Sequence, residues 1–262
     1  MELTPLTQVR ASHIRGLLRD SRARRGDSEF VLEGHHLLEA ALEKVPKLVL
    51  YIAITDHSAE RHPEILKRAE ELEIPVHALS PKQSRKISDA VQPSGSFAVL
   101  RMPRGPRGDP QGDAILVLDG IQDPGNVGTI VRTAAWFGVQ TILLGERTAD
   151  PYAPKVVRST QGAIFDVGIE IGNDLKRRLP ELRDAGYPII ATTVSENAKS
   201  LYEFEFPEKA LFLFGTEARG IRPELLEMAS AEITIPRFAI GESLNVAVSA
   251  AIILSEFRRG RK

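Results

Sequence analysis

The chain has 262 residues, 42% of them hydrophobic and 26% charged, with a net charge of -1 and no cysteine. That length predicts two domains, the composition is that of an ordinary soluble globular protein, and the missing thiols exclude disulfides, thiolate nucleophiles and thiolate-bound zinc. No apolar run approaches the roughly 20 residues that span a bilayer, and the start "MELTPLTQVRASHIRGLLRD" lacks a signal-peptide core, so a cytoplasmic protein without a membrane partner is expected.

In chain order, a basic helix is predicted near residues 9–19. Between residues 10 and 25, Arg10, Arg15, Arg19, Arg22, Arg24 and Arg25 stand against the single acid Asp20. Such a cluster can neutralise phosphates and release counterions, or it can be a solvated helix face. "EFVLEG" then reads as a strand, "HHLLEAALE" as a helix, "KLVLYIAI" as a buried strand, "PEILKRAEELE" as an amphipathic helix, and "PVHAL" and "SFAVLR" as strands. Together they make a small α/β unit. His35 and His36 are read without a carboxylate or third imidazole at helical spacing on their face, so no metal site is expected.

The segment "RMPRGPRGDPQGD", rich in Pro, Gly and Arg, predicts a linker and brings further basic groups at Arg101, Arg104 and Arg107. The expected organisation is an N-terminal domain over 1–102, a linker over 103–112 and a larger domain over 113–262. In that larger domain "AILVLD", "TILLG", "PIIATTV", "ALFLF" and "EITIP" read as strands alternating with helices. Their nearly continuous apolar content predicts a parallel sheet covered on both faces. All six histidines precede residue 78, so the larger domain has no imidazole base, no Ser-His-Asp triad and no His-ligated zinc. It also lacks a phosphate-cradling G-x-x-x-x-G-K-[ST] loop and a G-x-G-x-x-G turn.

Three small and polar clusters follow strands of the larger domain, at the edge where open α/β sheets bind ligands. In "QDPGNVGTIVRTAAWFG", Asn126 falls at or just before a helix start and Arg132 lies further along it; Asn126 as a cap and Arg132 in a surface ion pair would be the purely structural alternative. In "GTEARGIRPELLE", Gly215 and Gly220 permit a tight loop from which Glu217 and Arg219 project. A plain strand-to-helix connection would use glycine too. In "EITIPRFAIGESLNVAVSAAIILSEF", Pro236 ends a strand, Gly241 allows the turn and Ser243 is expected to cap a helix whose first turn holds Asn245, a poor helix former. Ala247, Ala250, Ala251 and Ser249 leave one face of that helix small.

"NVGTIVRTA", "LFGTEARGI" and "IPRFAIGESLNVAVSAA" resemble, in order, the three signature motifs of the SpoU or TrmH family of RNA 2′-O-ribose methyltransferases, within the SPOUT superfamily. "PKVVRSTQGAIF" also looks like a family segment. "FVLEGHHLLEAAL" and "SDAVQPSGSFAVL" resemble the family's substrate-binding domain, which is similar to small RNA-binding ribosomal proteins. Thr216 and Ala218 depart from the more usual Ser or Asn and Gly, and Ala247 and Ser249 vary a Ser and Ala pattern. The resemblance implies a parallel α/β domain with a deep trefoil knot, and S-adenosylmethionine held by backbone groups at Gly215, Ile235 and Leu244, with Thr192 nearby. It further implies Arg132, Asn126, Glu217, Ser243 and Asn245 around the reacting ribose, and the six N-terminal arginines on RNA. It implies a homodimer through the last helix, where residues 247–251 would allow close approach. Ribosomal RNA is the expected substrate over tRNA. The alternatives are a tRNA methyltransferase, a silent RNA-binding relative, or a plain nucleotide-binding α/β enzyme.

Overall fold

The computed structural model describes residues 3–90, 92–103, 110, 112–239 and 243–261. The expected linker falls largely outside the described residues, as do Arg104, Arg107, Gly241 and Lys262. The chain divides into two compact units, one ending at Pro103 but including Asp150–Phe165, the other formed by the remainder. The segment around "PKVVRSTQGAIF" therefore packs with the N-terminal unit, although it lies within the sequence of the larger one.

The first unit is built on strands β1 (Thr4–Pro5), β2 (Glu29–Glu33), β3 (Val49–Ile54), β4 (Val76–Ala78) and β5 (Ser96–Arg101), in the order β1-β4-β3-β5-β2. β5 runs antiparallel to both β2 and β3, and the remaining pairs are parallel. Its helices are α1 (Gln8–Arg19), α2 (Ser21–Asp27), α3 (His35–Lys44), α4 (Asp56–Arg61), α5 (Pro63–Glu71) and α6 (Pro81–Ile87). Thr7 caps α1 by accepting from the Arg10 amide at 3.3 Å. The helix then buries Ala11, Ile14, Leu17 and Leu18, at helical spacing, against Val31, Tyr51, Ala53, Phe97 and Val99 of the sheet. Strand alternation turns Phe30, Leu32, Ile52, Ala98 and Leu100 to the opposite face, where α3 packs on β2 and β5 and α5 packs on α3.

Arg24 ties Asp150–Phe165 to this unit. Its Nε and Nη2 donate to Asp150 Oδ2 at 2.9 and 2.6 Å, and its Nη1 donates to the Leu17 carbonyl at 2.6 Å. The Tyr152 ring packs 4.8 Å from Phe30. Removing one partner of a buried pair typically costs about 3–5 kcal/mol, so Arg24 is a structural residue. At 4% exposure it is turned away from any external phosphate, unlike the exposed Arg15, Arg19, Arg22 and Arg25.

In the second unit, β6 (Ala114–Leu118), β7 (Thr141–Gly145), β8 (Gly168–Asn173), β9 (Ile189–Thr192), β10 (Lys199–Ser200), β11 (Ala210–Phe214) and β12 (Ala231–Thr234) form a sheet in the order β10-β12-β9-β11-β6-β7-β8. Every pairing is parallel. Helix α7 spans Pro124–Trp136, α8 Pro154–Thr160, α9 Leu175–Asp184, α10 Pro223–Leu226 and α11 Val246–Arg258; α8 belongs to the first unit. Leu175, Leu179 and Leu182 of α9 pack on Ile115, Val117, Leu143, Ile189, Leu211 and Leu213. On the other face α11 lies on α7, and Phe257 meets the Phe212 ring at 5.1 Å. The parallel sheet covered on both faces matches the sequence expectation. β8 and β10, the two edge strands, were not foreseen. Their apolar content is low because only one side of an edge strand is paired and their side chains are partly exposed.

Candidate active site

The strand order sets β12, β9, β11 and β6 side by side, all pointing the same way. Their carboxyl ends therefore deliver four residues to one edge: Ile235 just after β12, Thr192 closing β9, Gly215 after β11 and Asp119 after β6. Three of these were singled out from sequence as cofactor residues, and the topology makes them neighbours. Thr192 Oγ1 donates to the Leu213 carbonyl at 3.0 Å, so its hydroxyl clamps β9 to β11.

Gly215 opens a loop that folds back on itself. The Thr216 amide donates to the Gly220 carbonyl at 3.0 Å and the Gly220 amide to the Thr216 carbonyl at 2.8 Å. A Cβ on Gly215 would lie 2.1 Å from the Gly220 carbonyl carbon and 2.2 Å from the Ile221 nitrogen. Glycine is required here by the chain's own crossing. Gly220 closes the loop at φ +65°, whereas Ala218 keeps a negative φ and needs no glycine. That explains why alanine is tolerated there. The loop is anchored by Asp119, 4% exposed, whose carboxylate accepts from Arg222 Nε at 2.9 and 3.0 Å and from the Arg222 amide at 3.2 Å. Hydrogen bonding to Asp119 raises the Arg222 pKa above its already high ordinary value. Neither residue was singled out from sequence. Asp119 stands at the strand end of "AILVLD", which was the available signal.

Helices α7 and α11 both begin at this edge, and their caps correct two expectations. Asp123, not Asn126, caps α7, its Oδ1 accepting from the Asn126 amide at 2.9 Å. An aspartate followed by proline at the first helical position is pre-organised for that task. Asn126 is the third residue of the helix, and its side chain is released. Asn245, not Ser243, caps α11: its Oδ1 accepts from the Ala247 and Val248 amides at 2.9 and 3.3 Å. Ser243, two residues before the cap, is exposed. Asn245 Nδ2 donates to Asn126 Oδ1 at 2.9 Å, and Asn126 Nδ2 donates to Glu217 Oε1. A continuous chain of hydrogen bonds thus runs from the α11 N-terminus through both amides to a carboxylate on the motif-two loop.

Arg132 is not joined to this chain. It lies six residues along α7 from Asn126, about 9 Å further along the axis, with its side chain exposed. The small-residue face of α11 is partly covered within the chain, with Ser249 and Ala251 half-buried. Ala247 and Ala250 are 3% and 0% exposed within the chain, where α11 packs on α7. Apolar groups left outward on and beside these helices include Trp136 on α7, 85% exposed, Val248 on α11 and Leu244 just before it, both 48%.

Chemically, the edge combines backbone at three strand ends with the fixed carboxylates of Asp119 and Glu217 and two oriented amides, while the exposed Arg132 guanidinium lies further along α7. It offers no imidazole or thiol for proton relay. The fit to S-adenosylmethionine rests on Gly215, Ile235 and Leu244, which have no polar side-chain group and can hydrogen-bond a ligand through backbone only. The ligand site expected of a parallel sheet falls at this edge.

Residues 113–255 match the SpoU rRNA Methylase family, and residues 31–106 match the RNA 2'-O ribose methyltransferase substrate binding family. A tRNA/rRNA methyltransferase of Synechocystis, itself uncharacterized, is 33% identical over 243 residues, covering 92% of this chain and 88% of the relative. The 23S rRNA (guanosine(2553)-2'-O)-methyltransferase RlmP of Bacillus subtilis is 32% identical over 241 residues, covering 92% and 93%. The crystal structure of an AdoMet-bound rRNA methyltransferase from Sinorhizobium meliloti superposes with a TM-score of 0.86 at 26% identity, covering 100% of this chain and 98% of that one. The chain belongs to the SpoU rRNA methylase family.

Proposed function

We propose that this protein is an S-adenosylmethionine-dependent methyltransferase acting on a ribose 2′-hydroxyl of structured ribosomal RNA, in the cytoplasm and as a homodimer. The observation that carries the reading is the Asn245–Asn126–Glu217 chain at the same sheet edge as Thr192, Gly215 and Ile235. The relatives support the ribosomal substrate: RlmP of B. subtilis is named for 23S rRNA. Retention of Asn126, Arg132, Glu217, Ser243 and Asn245 speaks against a silent relative.

When bound, S-adenosylmethionine supplies a methyl group activated by a sulfonium. Gly215, Ile235 and Leu244 would hold it through backbone groups, with Thr192 alongside. The chain's own residues then have to place a 2′-oxygen and manage its proton. Arg132 orients the 2′-oxygen and an adjacent phosphate and stabilises the negative charge that develops on the oxygen. Its guanidinium does not deprotonate, so the hydroxyl proton passes to a phosphate oxygen or to water. Asn245 fixes Asn126, and Asn126 fixes Glu217, so the polar wall of the cleft is set before substrate arrives. Ser243 offers a hydroxyl beside this wall.

On the first unit, Arg15, Arg19, Arg22 and Arg25 would bind RNA backbone. Arg19 pairs with Asp89 at 3.1 Å and Arg22 with Asp20 at 3.2 Å, but exposed pairs are worth little and exchange readily for phosphate. Arg10 is partly committed, its guanidinium bonded to His77 and 5.0 Å from the Tyr51 ring centroid. Arg24 is excluded from this role by its burial. Outward Trp136, Leu244 and Val248 support the dimer, since exposed apolar groups of that size mark interaction surfaces. Transfer of labelled methyl to purified ribosomal RNA tests the reading. Arg132→Ala should lose about 100-fold to 1,000-fold in kcat while calorimetry shows cofactor affinity unchanged; a fully active variant would overturn the assignment.

A further inference from the structure

Outside the active site, the first unit gathers metal-ligating groups where none were expected. Glu39 lies one turn along α3 from His35 and His36, so that helix face does hold a carboxylate. The neighbouring helix adds more, because α3 and α5 pack side by side. One ligand atom each from Glu39, His62 and Glu64 lies within 4.8 Å of the others. His62 Nδ1 is 3.2 Å from Glu64 Oε1, and His36 Nδ1 is 3.7 Å from Glu39 Oε2. The His35 ring stacks on His62 with centroids 3.9 Å apart and planes at 16°, which fixes the imidazole's plane.

His62 occupies the N-cap position of α5 without making a side-chain cap bond. Capping favours Ser, Thr, Asp or Asn, and here the imidazole is turned instead to Glu64. Beside the group, Glu39 and Glu64 line an open cavity of about 380 Å³ together with Leu42, Glu43, Ile65 and Arg68. Arg68 does not neutralise the pair: its Nη1 donates to Glu71 at 2.9 Å. Two carboxylates and an imidazole thus converge from two helices, on the sheet face opposite α1.

We propose that Glu39, His62 and Glu64 form a site for a divalent transition ion of the zinc or cobalt class. The donor set decides the class. Imidazole nitrogen with carboxylate oxygen suits zinc, cobalt or nickel, whereas calcium and magnesium take all-oxygen shells. Around zinc, ligands at roughly 2.0–2.1 Å stand about 3.4 Å apart in a tetrahedron, so the group needs only to close by small side-chain rotations. An ion there would pin the start of α5 to α3.

The test is cobalt(II) titration of the untagged, chelator-treated full chain, followed by visible absorption and by calorimetry. The expected result is one saturable equivalent per chain with a d–d band, a rise in melting temperature on cobalt addition, and displacement by zinc. Glu39→Gln and His62→Asn should each weaken binding at least 10-fold with circular dichroism unchanged, while His57→Asn, outside the group, should bind normally. No saturable uptake, or uptake that both variants at Glu39 and His62 leave intact, would overturn the site.

Discussion

Helices α7 and α11 begin within hydrogen-bonding distance of one another, yet they meet the same need in different ways. Each must satisfy backbone amides at its N-terminus and also present a side chain to the cleft. In α7 the tasks are divided: Asp123 caps, and Asn126 is left to reach Glu217 and Asn245. In α11 they are merged, because Asn245 caps with its oxygen and orients Asn126 with its nitrogen. Truncation to alanine should therefore separate stability from function at α7 and lower both together at α11.

Among the residues at these two N-termini, the largest effect is expected at Asn245. Asn245→Ala removes the cap, worth about 1 kcal/mol, and frees Asn126 to rotate. A melting-temperature loss of about 2–4 °C should accompany a fall in kcat of about 100-fold. Asn245→Asp sharpens the point, since the carboxylate keeps the capping oxygen but cannot donate. Asn126 would then face two carboxylates with one amide group, so melting temperature should hold while kcat still falls. If Asn245→Asp is fully active, the donor to Asn126 is not needed.

Asn126→Ala comes next. It should lower kcat by at least about 10-fold with cofactor affinity and melting temperature unchanged, because Asp123 keeps the cap. A destabilised but active variant would break the division of labour proposed for α7. The smallest effect on catalysis belongs to Asp123→Ala, which should cost about 1 kcal/mol in denaturant unfolding and leave kcat within about two-fold.

How much of this could be seen in the sequence depended on the range of the interaction. "SFAVLR", "TILLG" and "ALFLF" coincide with β5, β7 and β11 to the residue, because buried strands announce themselves by continuous apolar content. The three motifs supplied Asn126, Glu217 and Asn245, which the structure joins by hydrogen bonds, and Gly215 and Ile235, which it sets at one sheet edge. The caps were misassigned by a few residues: "DPGN" carries the aspartate–proline start signal, and it identifies Asp123. Arg24 and Arg25 are adjacent in sequence and opposite in environment, since only the helix's phase against Leu17 and Asp150 decides which one is buried. Contacts across long stretches of chain were out of reach. The Asp119–Arg222 clamp spans 103 positions, and the partnership of α3 with α5 that assembles Glu39, His62 and Glu64 has no local pattern. Nor could periodicity assign Asp150–Phe165 to the N-terminal unit, because its apolar residues fit either core.

The most direct test is to incubate the full-length protein with methyl-labelled S-adenosylmethionine and, in parallel, undermethylated ribosomal RNA and tRNA, and then to hydrolyse both RNAs with alkali. A methylated 2′-oxygen cannot attack the neighbouring phosphate, so label is expected in alkali-resistant dinucleotides from ribosomal RNA, absent with Arg132→Ala. Label released as mononucleotides, which marks base methylation, or no transfer to either RNA, would contradict it.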